Sequence, residues 1–366
     1  MRIDPKNKRS GWKWRVGQGV LVAVGLVAVC IAAVQACRTL PHRDEAPPLT
    51  IAAVGDTYAH GEWFSGQDPL EEIRSLLDEE DVFIFNMEGV LLSKDPPAGA
   101  CRTFPNQSRL WSPSSVADFL HPTRRTVATM GNNHILDCGA LGIRETLHEL
   151  VGRGILTVGA GENADSACRP LTFQANGIRL AILSYLSMNP DRFSAGSDRA
   201  GAASWETCPA ESAITRMAAE ADLVIVALHL HMGQGWTERS PSEHIALAQR
   251  ALDAGAHIVI GHGPHVPQGI LVGKGGVAFL SLGNFLFRPP HTMPPQAHDA
   301  LMAKVTILPD RLEVRLLPLM LDVKGKPAIP TEREASWMLA RLAELSAPLG
   351  ARIEIDDGVG HITVRR

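Results

Sequence analysis

The stretch Ile258–His265, which reads IVIGHGPH, combines the two features that organise the whole chain. Its first three residues form an unbroken apolar run, which is typical of a strand buried on both faces of a sheet. His262 and His265 follow this run directly, and the glycines around His262 allow a tight loop. Binding sites in α/β proteins form at the carboxyl ends of strands. The stretch therefore predicts an α/β sheet with two histidine ligands at its edge.

Polar side chains that suit a divalent cation follow four earlier apolar runs in the same way. These are Leu49–Val54 with Asp56, Val82–Phe85 with Asn86 and Glu88, Thr126–Met130 with Asn132, Asn133, His134 and Asp137, and Leu223–Leu228 with His229 and His231. Taken singly, each could be a turn, a helix cap or a solvated strand end. Their joint occurrence favours one metal site, because carboxylates and imidazoles bind Zn, Mn or Fe. A shared carboxylate would bridge two ions about 3.5–4 Å apart.

Helix-like segments separate the apolar runs, so we expect one large α/β domain over residues 49–325. The predicted helices are Pro69–Glu79, Gly142–Val151, Ala210–Ala221 and Ser242–Ala254. A pair of strands is predicted over Leu301–Leu321. Residues 326–366 are predicted to form a C-terminal helical appendage, because Thr331–Leu349 is amphipathic.

The N-terminal region predicts a membrane anchor. Residues 1–15 are basic, residues 16–37 are uncharged and largely apolar, and residues 38–48 read as a polar, proline-rich linker. The uncharged run is long enough to span a hydrocarbon core of about 30 Å, and the preceding basic residues place the domain outside the cytoplasm. An uncleaved transmembrane anchor, a lipoprotein signal ending at Cys37 and a cleaved signal peptide all remain open. The first two readings predict a cell-membrane protein, single-pass or lipid-anchored.

The net charge and the cysteines indicate which partners and which covalent links to expect. A net charge of -4 offers no basic footprint for nucleic acid, so no nucleic-acid partner is expected. Four cysteines lie beyond the anchor, at Cys101, Cys138, Cys168 and Cys208. In an exported domain they predict one or two disulfides, and buried free thiols are the alternative.

The polar segments that follow the apolar runs, with several other short segments, resemble the CapA family of poly-γ-glutamate capsule proteins, a branch of the calcineurin-like metallophosphatase superfamily. The strings that carry the resemblance are Gly55-Asp56, Asn86-Met87-Glu88, NNHILDCG (132–139), HMG (231–233), GHGPHVPQG (261–269) and SLGNF (281–285), together with GAGEN (159–163) and Arg169-Pro170. The resemblance implies a four-layer α/β/β/α sandwich with its metal site at one sheet edge. It also implies two divalent ions, with Mn, Zn, Fe or Mg as the candidates.

Residue by residue, the resemblance assigns a metal shell and an acid/base pair. The implied metal ligands are Asp56, Glu88, Asn133, His231, His262 and His265. His134 and Asp137 are the implied catalytic pair, in which the carboxylate fixes the tautomer of the imidazole.

The chain departs from the family pattern on the substrate side. Gly263 stands where the family usually has a histidine, Gly235 stands where it commonly has a glutamate, and His229 is an additional histidine. We take His60, His229 and Arg288 as candidate substrate contacts.

Two functions fit this reading. The first is a membrane-anchored, metal-dependent hydrolase of phosphoesterase type that acts in capsule or exopolymer biosynthesis or release. Its substrate would be an anionic polymer or a phosphoester, and its partners would be polymer synthase subunits. The second is a non-catalytic polymer-binding or scaffold subunit of a membrane synthase. A cytosolic phosphatase would require the N-terminal run to be something other than an export signal.

Overall fold

The computed structural model describes residues 47–59, 67–96, 101, 109–187, 190–230 and 236–366. Among these residues, no helix combines the length and the apolar character that crossing a membrane requires. The predicted basic segment 1–15, the predicted membrane segment 16–37 and most of the linker 38–48 lie outside the described residues.

Strands make up most of the secondary structure. In chain order they are β1 (Leu49–Thr57), β2 (Val82–Met87), β3 (Val90–Leu92), β4 (Trp111–Pro113), β5 (Arg125–Thr129), β6 (Leu156–Val158), β7 (Ala160–Gly161), β8 (Leu171–Ala175), β9 (Ile178–Leu186), β10 (Gly201–Ala202), β11 (Leu223–His229), β12 (Ile258–His262), β13 (Ile270–Gly273), β14 (Gly276–Phe279), β15 (Asn284–Leu286), β16 (Asp299–Ile307), β17 (Arg311–Leu321), β18 (Pro327–Ala328), β19 (Glu354–Asp356) and β20 (Val359–Arg365). The α-helices are α1 (Gly139–Gly152), α2 (Ala164–Ala167), α3 (Pro190–Phe193), α4 (Ala210–Glu220), α5 (Ser242–Asp253) and α6 (Glu332–Ser346).

The larger sheet has the order β19-β20-β17-β16-β1-β2-β5-β6, with β15 attached to β1 and β18 to β17. Strands β1, β2, β5 and β6 run parallel to their neighbours in this half of the sheet, so their carboxyl ends share one edge. On its other side β1 pairs antiparallel with β16, which in turn pairs antiparallel with β17. Chain segments from both ends of the domain therefore meet at β1.

The smaller sheet has the order β13-β14-β12-β11-β9-β8. Its central strands β9, β11, β12 and β14 are parallel, and β8 and β13 close the two edges in antiparallel pairing. The unbroken apolar run of β11 is buried at every position, because this strand has a layer of side chains on both faces.

Three apolar clusters show how the layers stack. Between the sheets, Ile51 and Ile84 pack with Ile182, Ile225 and Ile260. On the outer face of the larger sheet, Phe83 and Phe85 pack in one cluster with Ile143 and Leu150 of α1.

On the outer face of the smaller sheet, Val224 and Val226 cluster with Ile214 of α4 and Leu252 of α5. The side chains of a strand alternate between its two faces, which is why neighbouring residues of one strand enter different clusters. The predicted mixed α/β fold is confirmed, and the layers run helix, sheet, sheet, helix.

Two predictions about local structure need correction. The segment predicted as the helix Pro69–Glu79 contains a 3-10 helix, Glu71–Leu76, whose N-terminus has no side-chain cap. The predicted C-terminal helix is present as α6, but β20 pairs with β17 along its length. Residues 326–366 therefore form part of the larger sheet as well as a helix, because β17 supplies hydrogen-bond partners for the backbone of β20, and Ile362 and Val364 of β20 enter the apolar cluster between the sheets.

Two disulfides link the four cysteines of the domain. One joins Cys101 to Cys138 and the other joins Cys168 to Cys208. The prediction of one or two disulfides is confirmed.

Candidate metal centre

Three neighbouring strands of the larger sheet carry polar side chains at positions that are in register. Asp56 near the end of β1 is in register with Asn86 on β2 and with Asn284 on β15. Asn86 Nδ2 donates to Asp56 Oδ1 at 2.8 Å, so the amide fixes the carboxylate. The approach of β15 is very close, since a Cβ on Gly55 would lie 1.9 Å from the Gly283 carbonyl oxygen. Glycine at position 55 is therefore what permits this register.

The smaller sheet contributes histidines from two adjacent parallel strands. His229 at the end of β11 is in register with His262 at the end of β12. The loop after β12 contains Gly263 and His265. The N–H of Gly263 donates to Asp56 Oδ2 at 3.1 Å. Gly263 has φ +102°, a region that favours glycine, so this residue holds Asp56 through its backbone. The two sheets thus meet at Asp56.

Three imidazoles converge on one oxygen of Glu88. Nε2 of His265, His229 and His134 lies 3.6, 3.8 and 3.9 Å from Glu88 Oε1, respectively. These separations are too long for hydrogen bonds, which span about 2.7–3.2 Å. The other oxygen, Glu88 Oε2, is buried without a hydrogen-bond partner among the described residues. A buried carboxylate arranged in this way lacks the partners that normally offset its desolvation.

Three imidazoles of the site, those of His134, His262 and His265, each bond an acceptor through one ring nitrogen. His134 Nδ1 lies 2.8 Å from Asp137 Oδ2, His265 Nδ1 lies 2.9 Å from Asn284 Oδ1, and His262 Nε2 lies 3.1 Å from the Val54 carbonyl oxygen. All three partners are acceptors, so the bonded nitrogen carries the proton. In the neutral form of each ring, the opposite nitrogen then has the lone pair. Metal-binding histidines are held in this way, by an acceptor behind the ring.

Burial and the charges of neighbouring groups shift the pKa values of Glu88, His265 and Asp56. Burial and the charge of Asp56 raise the pKa of Glu88 to about 7. Burial would lower the pKa of His265, but Glu88, Asp56 and Asn284 outweigh it and raise that pKa to about 9. Burial would likewise raise the pKa of Asp56, yet His265, followed by His262 and His229, holds it well below its usual range. At neutral pH the His265 imidazolium thus supplies the positive charge beside these carboxylates.

The donor set fits divalent cations. One ligand atom each from Asp56, Glu88 and His265 lies within 4.8 Å of the others, and all three residues are buried. Carboxylate and imidazole together suit Zn, Mn or Fe. The partnerless oxygen of Glu88 and the lone-pair nitrogens of the oriented rings are the atoms that such ions would use.

His134 and Asp137 form a second unit beside the carboxylates. Asp137 Oδ2 accepts the Leu110 N–H at 2.6 Å as well as the bond from His134. Burial would lower the pKa of His134, but Asp137 and then Glu88 outweigh it and raise the pKa above its usual value. His134 is therefore suited to hold a proton and to point its Nε2 at the site.

A network of three asparagines, to which the sequence assigned no specific role, supports these groups. Asn132 Nδ2 donates to Asn86 Oδ1 at 3.2 Å and to the Met87 carbonyl at 2.8 Å, and its own Oδ1 accepts the His134 N–H. Asn86, Asn132 and Asn284 are all buried. All three occur in the strings quoted above, so their position after apolar runs is the signal that could have identified them.

The remaining predicted site residues have different positions. Asn133 is buried in the turn that follows β5, and Arg288 is exposed just after Phe287. His229, predicted as a substrate contact, is only 2% exposed and faces Glu88. His60 and His231 lie outside the described residues. The roles predicted for these residues remain predictions.

Residues 43–289 match the family described as "Bacterial capsule synthesis protein PGA_cap". "PGA biosynthesis protein CapA" of Bacillus subtilis is 34% identical over 163 residues, which cover 44% of this chain and 42% of that protein. "Capsule biosynthesis protein CapA" of Bacillus anthracis is 35% identical over 170 residues, which cover 44% of this chain and 40% of that protein. The matched part of the chain thus spans less than half of the length of either relative.

Among solved structures, one described as "a novel phosphatase" from Mycoplasma pneumoniae aligns with 78% of this chain and 92% of its own. Its sequence identity is 16% and its TM-score is 0.41.

Proposed function

Since the chain belongs to the bacterial capsule synthesis protein PGA_cap family, we propose that it is a metal-dependent hydrolase that acts in capsule or exopolymer biosynthesis or release. The observation that carries the catalytic part is the convergence of three imidazoles on Glu88 Oε1 at 3.6–3.9 Å. A purely structural cluster would pair this carboxylate with direct hydrogen bonds.

The metal-holding groups are Asp56, Glu88 and His265, with His229 and His262 as further imidazole donors. His262 would donate through Nδ1, because its Nε2 is bonded to the Val54 carbonyl. Bound divalent ions would supply a nucleophilic water at neutral pH and polarise the scissile group. Asn86 and the Gly263 N–H keep Asp56 in place for this purpose.

His134 supplies the proton in this proposal. Its Nδ1–H bond to Asp137 fixes the ring, and its raised pKa favours the protonated form. Nε2 then faces the cluster, where it can donate a proton to a leaving-group oxygen or nitrogen. His134 is 9% exposed, more than Glu88 or Asp56, so it is the most solvent-accessible of these three side chains.

We propose an anionic polymer or a phosphoester as the substrate. The printed names of the two Bacillus relatives refer to PGA or capsule biosynthesis. A site with divalent ions and protonated imidazoles attracts negatively charged groups. Polymer synthase subunits are the proposed partners.

Hydrolysis can be tested on the full-length protein. The purified protein is depleted of metal, reloaded with Mn²⁺ or Zn²⁺, and assayed with bis(p-nitrophenyl) phosphate and with poly-γ-glutamate. We expect metal-dependent turnover of at least one substrate class. Failure to retain metal after reloading, together with no turnover, would refute the catalytic proposal.

A non-catalytic scaffold is the alternative, and the departure at Gly235 is the feature that favours it. Gly263 does not add to it, because its backbone N–H is used to hold Asp56. His134→Asn in the native host separates the two functions. Polymer output that falls at unchanged protein abundance supports catalysis, whereas unchanged output supports a scaffold.

The membrane location is also proposed. Its support is the basic segment 1–15, the uncharged segment 16–37 and the two disulfides of the domain. Disulfides persist in oxidising compartments and are rare in the cytosol. Labelling intact cells with a membrane-impermeant protein reagent tests the side of the membrane. Cys37→Ala then distinguishes a lipid anchor from a transmembrane one, because only a lipid-anchored protein would be released or unprocessed.

A further inference from the structure

Asp137 is held from two directions. Its Oδ2 accepts the N–H of Leu110 at 2.6 Å and the Nδ1–H of His134 at 2.8 Å. The donors are 27 and 3 residues away in sequence, so the carboxylate connects an incoming segment to the turn that carries His134. Any displacement of Leu110 or of this turn changes the angle at which Asp137 meets the imidazole.

A disulfide also holds the His134 turn, one residue after Asp137. Cys138, which directly follows Asp137, is bonded to Cys101, whose side chain is only 5% exposed. Cys138 is also the N-cap residue of α1, and no side-chain hydrogen bond caps this helix. A Cβ on Gly142 would lie 2.8 Å from the Cys138 Cβ, so Cys138 packs tightly on the first turn of α1. The disulfide therefore fixes the end of the His134 turn against the helix and against Cys101, which packs in the apolar cluster on the outer face of the larger sheet.

Resting on the proposed function, we propose that the Cys101–Cys138 disulfide is a positioning element of the active site. It keeps Asp137 aligned with His134 Nδ1, and so it keeps His134 Nε2 directed at the cluster. Neither cysteine is one of the proposed metal ligands or a member of the His134–Asp137 pair. The disulfide acts through Asp137, and the activity of the site becomes dependent on an oxidised environment.

The second disulfide provides a matched control. Cys168 follows α2 and Cys208 precedes α4. Cys208 belongs to the apolar cluster on the outer face of the smaller sheet, and Cys168 packs against that cluster. The two disulfides close loops with sequence separations of 37 and 40 residues. Because the restriction of the unfolded chain grows only with the logarithm of loop length, both contribute nearly equally to stability by that route. A difference in their effect on the site must come from their location.

Reduction of the disulfide is a balanced exchange. A small dithiol attacks one sulfur as the thiolate, displaces the other as a thiolate and then closes to its own cyclic disulfide. The products are two cysteine thiols and the oxidised dithiol. Dithiothreitol is the reagent used in the test.

The test compares two double variants of the full-length, metal-loaded protein: Cys101→Ser with Cys138→Ser, and Cys168→Ser with Cys208→Ser. Hydrolysis of bis(p-nitrophenyl) phosphate gives kcat and KM. We expect the first variant to lose about 10- to 100-fold in kcat with KM nearly unchanged, as for other losses of a group that orients a histidine. The second variant should keep kcat within about twofold while losing similar thermal stability.

A spectroscopic readout makes the inference independent of turnover. The His134 Nδ1–H that is bonded to Asp137 gives a downfield proton signal, assigned by its loss in His134→Asn. We expect this signal to disappear or move in the Cys101→Ser, Cys138→Ser protein and to persist in the other double variant. If the normal protein shows no hydrolysis, the proposed function fails while this signal still decides the positioning role.

Reduction covers the case in which the first double variant does not fold. In the Cys168→Ser, Cys208→Ser background only one domain disulfide remains to be reduced. Dithiothreitol should remove the His134 signal and lower kcat, and reoxidation should restore both. An unchanged signal after complete reduction, or an equal loss in both double variants, would overturn the proposal.

Discussion

Asn284 and Asp56 occupy facing positions on the parallel strands β15 and β1, and both direct an oxygen at Nδ1 of His265, at 2.9 and 3.3 Å. The neutral amide is the closer acceptor, and its own Nδ2 donates to the His265 and Ala297 carbonyls. The amide is therefore locked in one orientation, and it in turn locks the imidazole. His265 Nε2 faces Glu88 as a consequence.

Asn284→Ala should weaken metal binding without removing a ligand. The imidazole loses its nearest acceptor, and such losses typically cost about 10- to 100-fold in metal affinity. Metal affinity is measured by competition with a chromogenic chelator. Ser346→Ala is the control, because Ser346 is also buried and its hydroxyl makes two hydrogen bonds, to Ile270 and Leu342, far from His265 in the chain. Equal affinities in the two variants would contradict this role of Asn284.

Glu88→Gln should abolish metal loading while leaving the metal-free protein at least as stable as before. The carboxylate is buried beside Asp56, so its charge destabilises the metal-free fold. Elemental analysis gives the metal content, and thermal unfolding with and without Mn²⁺ gives stability. Glu80→Gln is the control: Glu80 pairs with Lys304 at 2.8 Å, so its loss should destabilise the protein and spare metal binding.

The metal-free protein should lose stability as pH rises from 5 to 9, and Mn²⁺ should reverse this loss. The pKa of Glu88 is raised from 4.5 to about 7, so its contribution is complete below pH 4.5 and is lost as pH rises through 7. The pKa of His265 is raised from 6.5 to about 9, so its contribution is lost through pH 9. A bound cation replaces these protons, so metal affinity should rise over the same range. Chemical denaturation at several pH values checks both signs, and a metal-free protein equally stable at pH 5 and 9 would contradict them.

His134→Asn should remove hydrolysis but retain metal. The change removes the proton donor, and such groups contribute about 10²- to 10⁴-fold to rate. Glu88 Oε1 is 3.9 Å from His134 Nε2 but nearer to two other imidazoles, so metal content should stay near that of the normal protein. A variant that loses metal and activity together would assign His134 to the metal shell instead.

His257→Gln should reduce the loss of unfolding free energy that occurs as pH falls from 7 to 4. Burial, followed by the charge of Arg366, lowers the pKa of His257 to about 4, and its Nδ1 accepts the Val224 N–H at 3.0 Å. A lowered histidine pKa gives stability that is present above pH 6.5 and is lost as pH falls through 4, up to about 3 kcal/mol. Glutamine keeps an acceptor but does not titrate. Urea midpoints between pH 7 and 4 in the two proteins give the difference, and parallel profiles would rule it out.

The sequence predicted the fold where local pattern carries the information. Unbroken apolar runs predicted β1, β2, β5, β11 and β12, and the family resemblance is confirmed. The pairing of β20 with β17 was not predicted, because β20 alternates buried and more exposed residues instead of forming an unbroken apolar run, and its partner is distant in the chain. The segment near Ile73 was read as an α-helix because its apolar spacing does not separate an α-helix from a 3-10 helix.

The candidate site shows the same division. The sequence singled out Asp56, Glu88, His265 and the pair His134–Asp137, because parallel strands bring their carboxyl ends to one edge. It did not reveal which side chains hold them. The bonds of Asn86 to Asp56 and of Asn284 to His265 join residues 30 and 19 positions apart, and no local pattern encodes such contacts. Four cysteines allow three complete pairings, so the partner of Cys138 also had to come from the structure.

The contact of Gly55 with the Gly283 carbonyl limits how this sequence can change over time. Even alanine at position 55 would meet that oxygen at 1.9 Å, so the strand that carries Asn284 would have to move first. A substitution at Gly55 is therefore accessible only after a compensating shift around Gly283. In a search for distant relatives that keep the metal centre, a glycine before the first aspartate is therefore as informative as a ligand residue, although its role is only to permit the close approach of the two strands.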